Sequence, residues 1–324
     1  MSSTLDNDNP LEALGFGVFK PDAPRFLNDS DPKFRLSESD RFTIWIVTPA
    51  GYSHSQCFED IAFSLQIAFR NLGLKVSVVT DPQFIVGTPI VLGPHLLSRI
   101  DQARLPRKMV LFNLEQVYAN SPWITPEYKS LIQSHMLWDY SEINQQTWAG
   151  LGIKTEAICE VGYVEELNRI KSSATRDIDV LFIGSLNERR KNILDELNSY
   201  GISLYWLFDV YGKQRDDVIA RAKILLNLHL YEAHIFEIIR VSYLLANRCC
   251  VVSEIGVDSK TEKFLSEGIA FCSYDSLVQT CLQVLGNEDQ QEQLRNRGFE
   301  LMSRRSQTYY LKNALKQSRL LDDL

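Results

Sequence analysis

The residues best placed to do chemistry fall in ILLNLHLYEAHIFEIIRVSYLLANRCCVVSE, from Ile224 to Glu254. Asn227 and His229 alternate late in one apolar run, Glu237 and Arg240 stand three residues apart, and Ser253 and Glu254 close a second apolar run. A strand buried on both faces is normally apolar throughout, so an amide and an imidazole at its end need a reason. A glutamate there can accept hydrogen bonds from ribose hydroxyls, and a guanidinium offers planar donors to phosphate. On an exposed helix face Glu237 and Arg240 would simply pair with each other. Their flanks are strongly apolar, and buried charges require a partner or a ligand.

A second candidate is FIGSLNERRKNIL, which reads as strand, glycine, polar loop and helix. Gly184 admits close backbone approach, Ser185 follows it, and the helix N-terminus offers free N–H groups to an anion. Arg189, Arg190 and Lys191 crowd that first turn, where the helix dipole disfavours cations. A bound anion would neutralise them, and a solvated face paired with Glu188 accounts for them equally well. Neither G-x-G-x-x-G nor G-x-x-x-x-G-K-[ST] occurs, which removes support for a dinucleotide enzyme and for a P-loop NTPase.

Other polar groups end apolar runs in the first half of the chain: Ser53 and His54 in GYSHSQ, Asn113 and Glu115 in NLEQ, Asp139 in WDYS. His54 has the chemistry of a proton acceptor, and as an exposed loop histidine it would have no role. Asn113, Glu115 and Asp139 are candidate acceptor contacts, each also explicable as a turn or cap. Glu59 and Asp60 open a helix, where the dipole alone explains them. No metal signature is present, whether D-x-D, H-x-x-x-H or clustered Cys and His. The six cysteines form no C-x-x-C pair and read as buried thiols of a cytoplasmic protein.

These groups need a scaffold that brings strand ends together. Apolar strands alternate with helices from Phe42 to about residue 160 and again from Asp177, the pattern of doubly wound parallel sheets. The expected helices include 57–71, 188–198 and 215–223. All 11 prolines lie at or before Pro126, which makes the first half richer in loops. The expected fold class is α/β, two Rossmann-like domains facing each other across a cleft. The boundaries are a polar leader over 1–40, an N-terminal domain over 41–165, a C-terminal domain over 166–310, and a tail or helix over 311–324. GFGVF at 15–19 is a segment able to dock. With 45% apolar residues the chain can fill two cores. The net charge of −7 argues against nucleic acid as a partner, and no apolar run approaches the ~20 residues of a membrane span.

DIDVLFIGSLNERR and the segment from Ile224 to Glu254 resemble the GT-B glycosyltransferases, and among them the bacterial CgeB-like and family 1 groups. The resemblance covers roughly residues 42–310. It implies a C-terminal domain that holds a nucleotide-diphosphate sugar, with Gly184, Ser185 and Arg190 near the diphosphate and Asn227, His229, Glu237, Arg240, Ser253 and Glu254 lining the cleft. Ser185 stands where that fold often has a first cation, and Arg190 where it has a lysine. A glutamate pair eight residues apart is usual there; this chain has Glu232, Glu237 and Tyr243 instead. The implied activity is metal-independent transfer of a sugar to an unidentified hydroxyl acceptor (glycan, lipid, peptide or small molecule). His54 and Glu237 would be the catalytic groups, with Ser53, Asn113, Glu115 and Asp139 on the acceptor side. The alternatives are a GT-B-like nucleotide- or glycan-binding protein without catalysis, favoured by the glutamate spacing, and a nucleotide-sugar epimerase of similar architecture.

Overall fold

A computed structural model describes residues 42–99, 105–118, 121–171, 173, 175–231 and 233–321, with the backbone of Gly17 and Val18. The leader expected over 1–40 otherwise lies outside the described residues, as does Glu232.

The first lobe is a six-stranded, all-parallel sheet. Its strands are β2 (Phe42–Ile46), β3 (Val76–Val79), β4 (Thr88–Leu92), β5 (Val110–Asn113), β6 (Met136–Asp139) and β7 (Ala157–Ile158), in the order β3-β2-β4-β5-β6-β7. Every residue of β2 is buried, as expected of a central strand covered on both faces. Helix α1 (Glu59–Asn71) ends where Gly73 takes φ +73°, a left-handed stop that glycine adopts without a Cβ penalty. Helix α2 (Pro126–Ser134) starts on a Thr125 cap with proline in its first turn, and α3 (Glu142–Gly150) on a Ser141 cap; both are strong start signals.

The second lobe repeats the plan with β8 (Ile178–Ile183), β9 (Leu204–Leu207), β10 (Ala222–Asn227), β11 (Val251–Glu254) and β12 (Ala270–Cys272), ordered β9-β8-β10-β11-β12 and all parallel. Helices α4 (Glu188–Ser199), α5 (Gly212–Ile219), α6 (Ile238–Ala246), α7 (Ser259–Leu265), α8 (Leu277–Leu285) and α9 (Glu288–Ser303) cover it. Gly17–Val18 forms β1, paired in parallel with Tyr205–Trp206 on the β9 edge, which locates part of the GFGVF segment. Alternation along the strands separates two apolar layers. Leu225 and Val251 face the layer shared with the first lobe; Ile224, Leu226 and Val252 face the outer one.

Two expectations change. The helix placed over 215–223 lies at Gly212–Ile219, because Ala222 and Lys223 already belong to β10, where Lys223 pairs with Asp179 at 2.6 Å. The last helix, α10 (Gln307–Gln317), begins before residue 310 and packs against α1 of the first lobe, with Trp138 Nε1 donating to Ser318 Oγ at 2.6 Å. In each sheet the strand order reverses beside the first strand, at β2/β4 and at β8/β10. Ligands of open α/β sheets bind beyond the strand ends at such switch points.

Candidate functional site

Both switch points open into one cavity of about 330 Å³ between the lobes. Tyr52, His54 and Glu115 line it from the first lobe, Gly184, Ser185 and Arg240 from the second. Gly184 follows β8 with φ +141°, a conformation residues with a Cβ rarely adopt. A Cβ there would lie 3.0 Å from Arg240 Nη1 and 3.4 Å from Arg190 Nη1. Two guanidiniums thus converge on a position that has no side chain.

Arg240, in the first turn of α6, donates through Nη1 to the Ile183 carbonyl at 2.9 Å and through Nη2 to Asn227 Oδ1. Its buried Nε makes no hydrogen bond. Burial pulls its pKa down, and Glu237 only partly restores it. Arg190 donates to the carbonyls of Ser185 (2.7 Å), His229 (3.3 Å) and Leu228. Among the described residues no carboxylate forms an ion pair with it. Burial, then the neighbouring Arg240, pushes its pKa down to about 9. A buried cation whose hydrogen bonds go to carbonyls and whose face meets the Phe182 ring at 5.2 Å keeps positive charge that an anion offsets.

Beneath these groups lies a closed polar layer. Glu237 precedes α6 as its N-cap residue and turns its carboxylate back. Oε2 accepts from Asn227 Nδ2 at 2.9 Å, and Oε1 sits 3.0 Å from His229 Nδ1. Burial drives the Glu237 carboxyl up, but His229, Arg240 and Asn227 together outweigh it and hold the group below its ordinary value. Asn227 Nδ2 also donates to Ser253 Oγ at 3.0 Å. Glu254 takes the guanidinium of Arg189 at two points, one of them at 2.8 Å, and the backbone N–H of His229 at 3.1 Å. Arg189 stacks on Tyr274, its Cζ 3.9 Å from the ring centre. Lys191 pairs with Asp195 on the same helix.

The expectation that this whole set lines the cleft is corrected in part. Arg190, Asn227, His229, Ser253 and Glu254 are each at most 3% exposed; they bond to one another and form the bed on which Gly184, Ser185 and Arg240 rest. On the opposite wall the outcome is also divided. Asn113 and Asp139 are 1% and 0% exposed, so neither reaches an acceptor. Asp139 accepts four N–H bonds, from Asn113 Nδ2 (2.8 Å), Ser141 N, Asn144 Nδ2 and Trp148 Nε1 (2.9 Å each). Burial nevertheless pushes its pKa up to about 7. Ser53 Oγ donates to Asp209 Oδ2 at 2.6 Å, and His54 Nδ1 lies 3.2 Å from Asp209 Oδ1 and 3.3 Å from Tyr211 Oη. Both therefore clasp the loop between β9 and α5 of the other lobe. Glu115 faces the cavity with Tyr231 Oη donating to it at 3.5 Å, and burial raises its pKa to about 7.

Sequence reasoning missed the junction between the lobes. Asp60, explained above by the helix dipole alone, takes Arg169 Nη2 and Arg215 Nη1, each at 2.6 Å. Arg215 stacks on Tyr243 at 4.2 Å, and Tyr243 Oη donates to Asp216 at 2.8 Å. Arg215 is 12% exposed and Asp60 14% at the side chain, so the pairs act in a low-dielectric junction where breaking one is costly. Of these charged residues only Asp60 lies in a largely apolar helix, and nothing local in the sequence marks Arg169 or Arg215 as its partners. Gln116 adds a backbone-like clasp, donating to Ile235 O at 2.6 Å and accepting from Ile235 N at 3.2 Å. No group of three or more His, Cys, Asp or Glu among the described residues is arranged to hold a metal ion, and no described helix is long and apolar enough to cross a membrane.

No family model matches the chain. Two proteins of Acanthamoeba polyphaga mimivirus are similar in sequence over part of it. Uncharacterized protein L137 is 32% identical over 127 residues, 38% of this chain and 17% of the relative. A second uncharacterized protein is 33% identical over 127 residues, 37% of this chain and 41% of the relative. The chain thus matches less than half the length of either. Solved structures are similar over nearly the whole chain. Anabaena HepE in complex with UDP and glucose gives TM-score 0.56 at 10% identity, covering 88% of this chain and 100% of its own. AviGT4, a glycosyltransferase involved in avilamycin A biosynthesis, gives 0.55 at 13%, covering 86% and 97%. The T4 phage β-glucosyltransferase gives 0.52 at 9%, covering 87% and 99%. At these identities the likeness establishes the fold, two Rossmann-like lobes of the GT-B type. No relative supports the finer CgeB-like resemblance, and the sequence relatives are viral, which leaves a bacterial origin unsupported.

Proposed function

We propose that the chain is a glycosyltransferase that binds a nucleoside-diphosphate sugar against its second lobe and passes the sugar to a hydroxyl. One observation carries the reading: Arg190 and Arg240 converge on the bare backbone of Gly184, which lines the interlobe cavity. Fixed donors aimed at a leaving diphosphate stabilise the charge that develops as the glycosidic bond breaks. In this reading the guanidiniums supply that charge without a metal ion, and closure of the lobes excludes water. A complex of the similar HepE fold contains UDP and glucose, which supports UDP-glucose as the first donor to try.

Within this proposal Glu237 holds Asn227 and His229 in place under the sugar pocket. His54 sits at the lobe junction, where it positions the β9–α5 loop beside the diphosphate. The six free cysteines favour a cytoplasmic setting. The engagement of Glu237 by its own neighbours favours a second reading, a nucleotide- or glycan-binding protein without turnover. Release of nucleoside diphosphate from UDP-, GDP- and dTDP-glucose, with and without EDTA, separates the two. Transfer predicts release that EDTA leaves unchanged; binding alone predicts none.

A further inference from the structure

The first lobe brings to the cavity one carboxylate that is pinned at its backbone and nearly unpartnered at its side chain. The Glu115 carbonyl accepts two amide N–H bonds, from Asn113 at 2.8 Å and Asn144 at 2.9 Å, and Asn144 Oδ1 takes the N–H of Val117 at 2.8 Å. Both amides are fixed in turn by Asp139. The next residue, Gln116, is clasped by Ile235 of the other lobe. Against this rigid mounting, the Glu115 carboxylate has, among the described residues, a single hydrogen bond, from Tyr231 at the long distance of 3.5 Å. A buried network that ends in an almost unengaged, cavity-facing carboxylate is an arrangement for holding a reactive group in place.

We propose that Glu115 is the general base of the transfer reaction, accepting the proton of the acceptor hydroxyl, and that Asn113, Asn144 and Asp139 are its positioning residues. This rests on the transferase reading above. As the acceptor O–H bond breaks, its proton passes to Glu115 and its oxygen bonds to the anomeric carbon. The bond from that carbon to the diphosphate oxygen breaks, and its electron pair leaves on the nucleoside diphosphate. Glu115 stands on the wall opposite Gly184 and Arg240, so the incoming oxygen and the leaving group lie on opposite sides and the anomeric centre inverts. The acceptor belongs to the class of ring-bearing alcohols. The wall beside Glu115 is aromatic, with Trp123 edge-on to Tyr231 at 6.4 Å and Tyr52 edge-on to His54 at 5.3 Å, and such rings offer apolar faces with polar rims.

Burial alone raises the Glu115 carboxyl to about 7, with Tyr231 pulling slightly the other way. The ionisable groups that sense its charge are Tyr231, Cys57 from the turn before α1, Tyr128 of α2 and Tyr140 after β6. The three phenols are pushed up by burial and neutral near pH 7, Cys57 is an exposed thiol, and none of the four is a cation holding Glu115 ionised. His54, Asp60, His95, Asp209, Arg215 and Arg240 line the same cavity, where Arg215 is paired with Asp60 and Arg240 is bound to the Ile183 carbonyl and Asn227. A base poised near the working pH is the efficient one.

Water serves as the test acceptor. The wild type should hydrolyse one of UDP-, GDP- or dTDP-α-glucose, with kcat rising through an apparent pKa near 7 and β-glucose as the first product by NMR. Glu115→Ala should slow this by at least about 100-fold while binding the nucleoside diphosphate as the wild type does. Azide, which attacks without losing a proton, should restore nucleotide release to Glu115→Ala and yield the inverted glycosyl azide. Glu115→Gln, nearly isosteric, guards against misfolding and should lose hydrolysis equally. Wild-type rates in both variants, or α-glucose as the first product, overturn the assignment of Glu115 and leave the transferase reading standing. A wild type that releases nucleotide from none of the donors overturns that reading and this assignment with it.

Discussion

The two walls of the cleft are built on opposite principles. On the second lobe nearly every charged group is spoken for: Glu254 by Arg189, Glu237 by Asn227 and His229, and Arg240 by Ile183 and Asn227. On the first lobe Asp60 lines the cavity tied to Arg169 and Arg215, Asp139 lies behind the wall, and Glu115 faces the cavity with one long hydrogen bond among the described residues. A saturated wall presents a fixed field, because moving any one charge strands its partners. A sparse wall leaves a group free to change protonation. A fixed field suits a diphosphate whose charge must be met without rearrangement, and a free carboxylate suits a proton that must move.

The contrast breaks most visibly if the fixed field is removed. Arg240→Ala strips the donor to Ile183 and Asn227 and removes one of the groups that hold the Glu237 carboxyl below its ordinary value. Truncating one partner of a buried charged hydrogen bond typically costs about 2–5 kcal/mol, so UDP affinity by calorimetry should fall by at least about 30-fold. An unchanged affinity would mean that the second lobe's charge is purely structural. The first lobe's hidden network should show itself in stability instead. Asp139→Asn turns an NH2 toward N–H donors where a carboxylate oxygen now accepts, and a buried unmet polar group costs about 1–3 kcal/mol. Urea unfolding should show that loss with little change in UDP affinity. Gly184→Ala forces φ +141° on a residue with a Cβ and crowds Arg240. Strain of this kind costs about 1–3 kcal/mol, so thermal melts should fall by a few degrees and UDP binding should weaken with them.

The smallest effect sharpens the comparison through pH. Glu115 and Glu59 each hold a proton to about pH 7, chiefly because they are buried, whereas the unfolded chain releases it near pH 4. The folded state binds more protons across that window. Its advantage is complete below about pH 4 and is lost as pH rises to about 7. Melting temperature should therefore decline from pH 5 to pH 8, and Glu115→Gln should flatten the decline. Glu237, whose carboxyl is held below its ordinary value, works the other way: its contribution is present above the unfolded pKa and lost on acidification through the folded one. The two walls should thus respond to pH with opposite sign, and Glu237→Gln should not flatten the decline.

The same contrast governs what the sequence discloses. The second lobe's site was legible because its signals are local: a glycine straight after an apolar strand, and Glu237 with Arg240 inside apolar flanks. Gly184 directly follows β8, and Glu237 and Arg240 lie within the single unit β10–α6–β11, so each signal can be read from neighbours in the chain. The first lobe's site depends on distant partners. Ser53 meets Asp209, 156 residues away, and Asp60 meets Arg215, 155 residues away. Asp139 and Asn113 end strands just as Glu115 follows one, and the sequence pattern cannot tell which of them faces the cavity. That is decided by Asn144 and Trp148, which reach back from α3 and draw Asp139 into the interior. The helix over 215–223 was misplaced for a related reason: an alternating Lys223 belongs to a strand only once Asp179 stands beside it.

The central claim is that the backbone of Gly184 and the guanidinium of Arg240 receive a diphosphate, and a crystal structure of the wild type with UDP tests it most directly. The account predicts the two phosphates within hydrogen-bonding distance of the Gly184–Ser185 backbone and of Arg240, with Glu115 across the cavity from them. UDP bound elsewhere on the chain, or an empty cavity at saturating UDP, would contradict it.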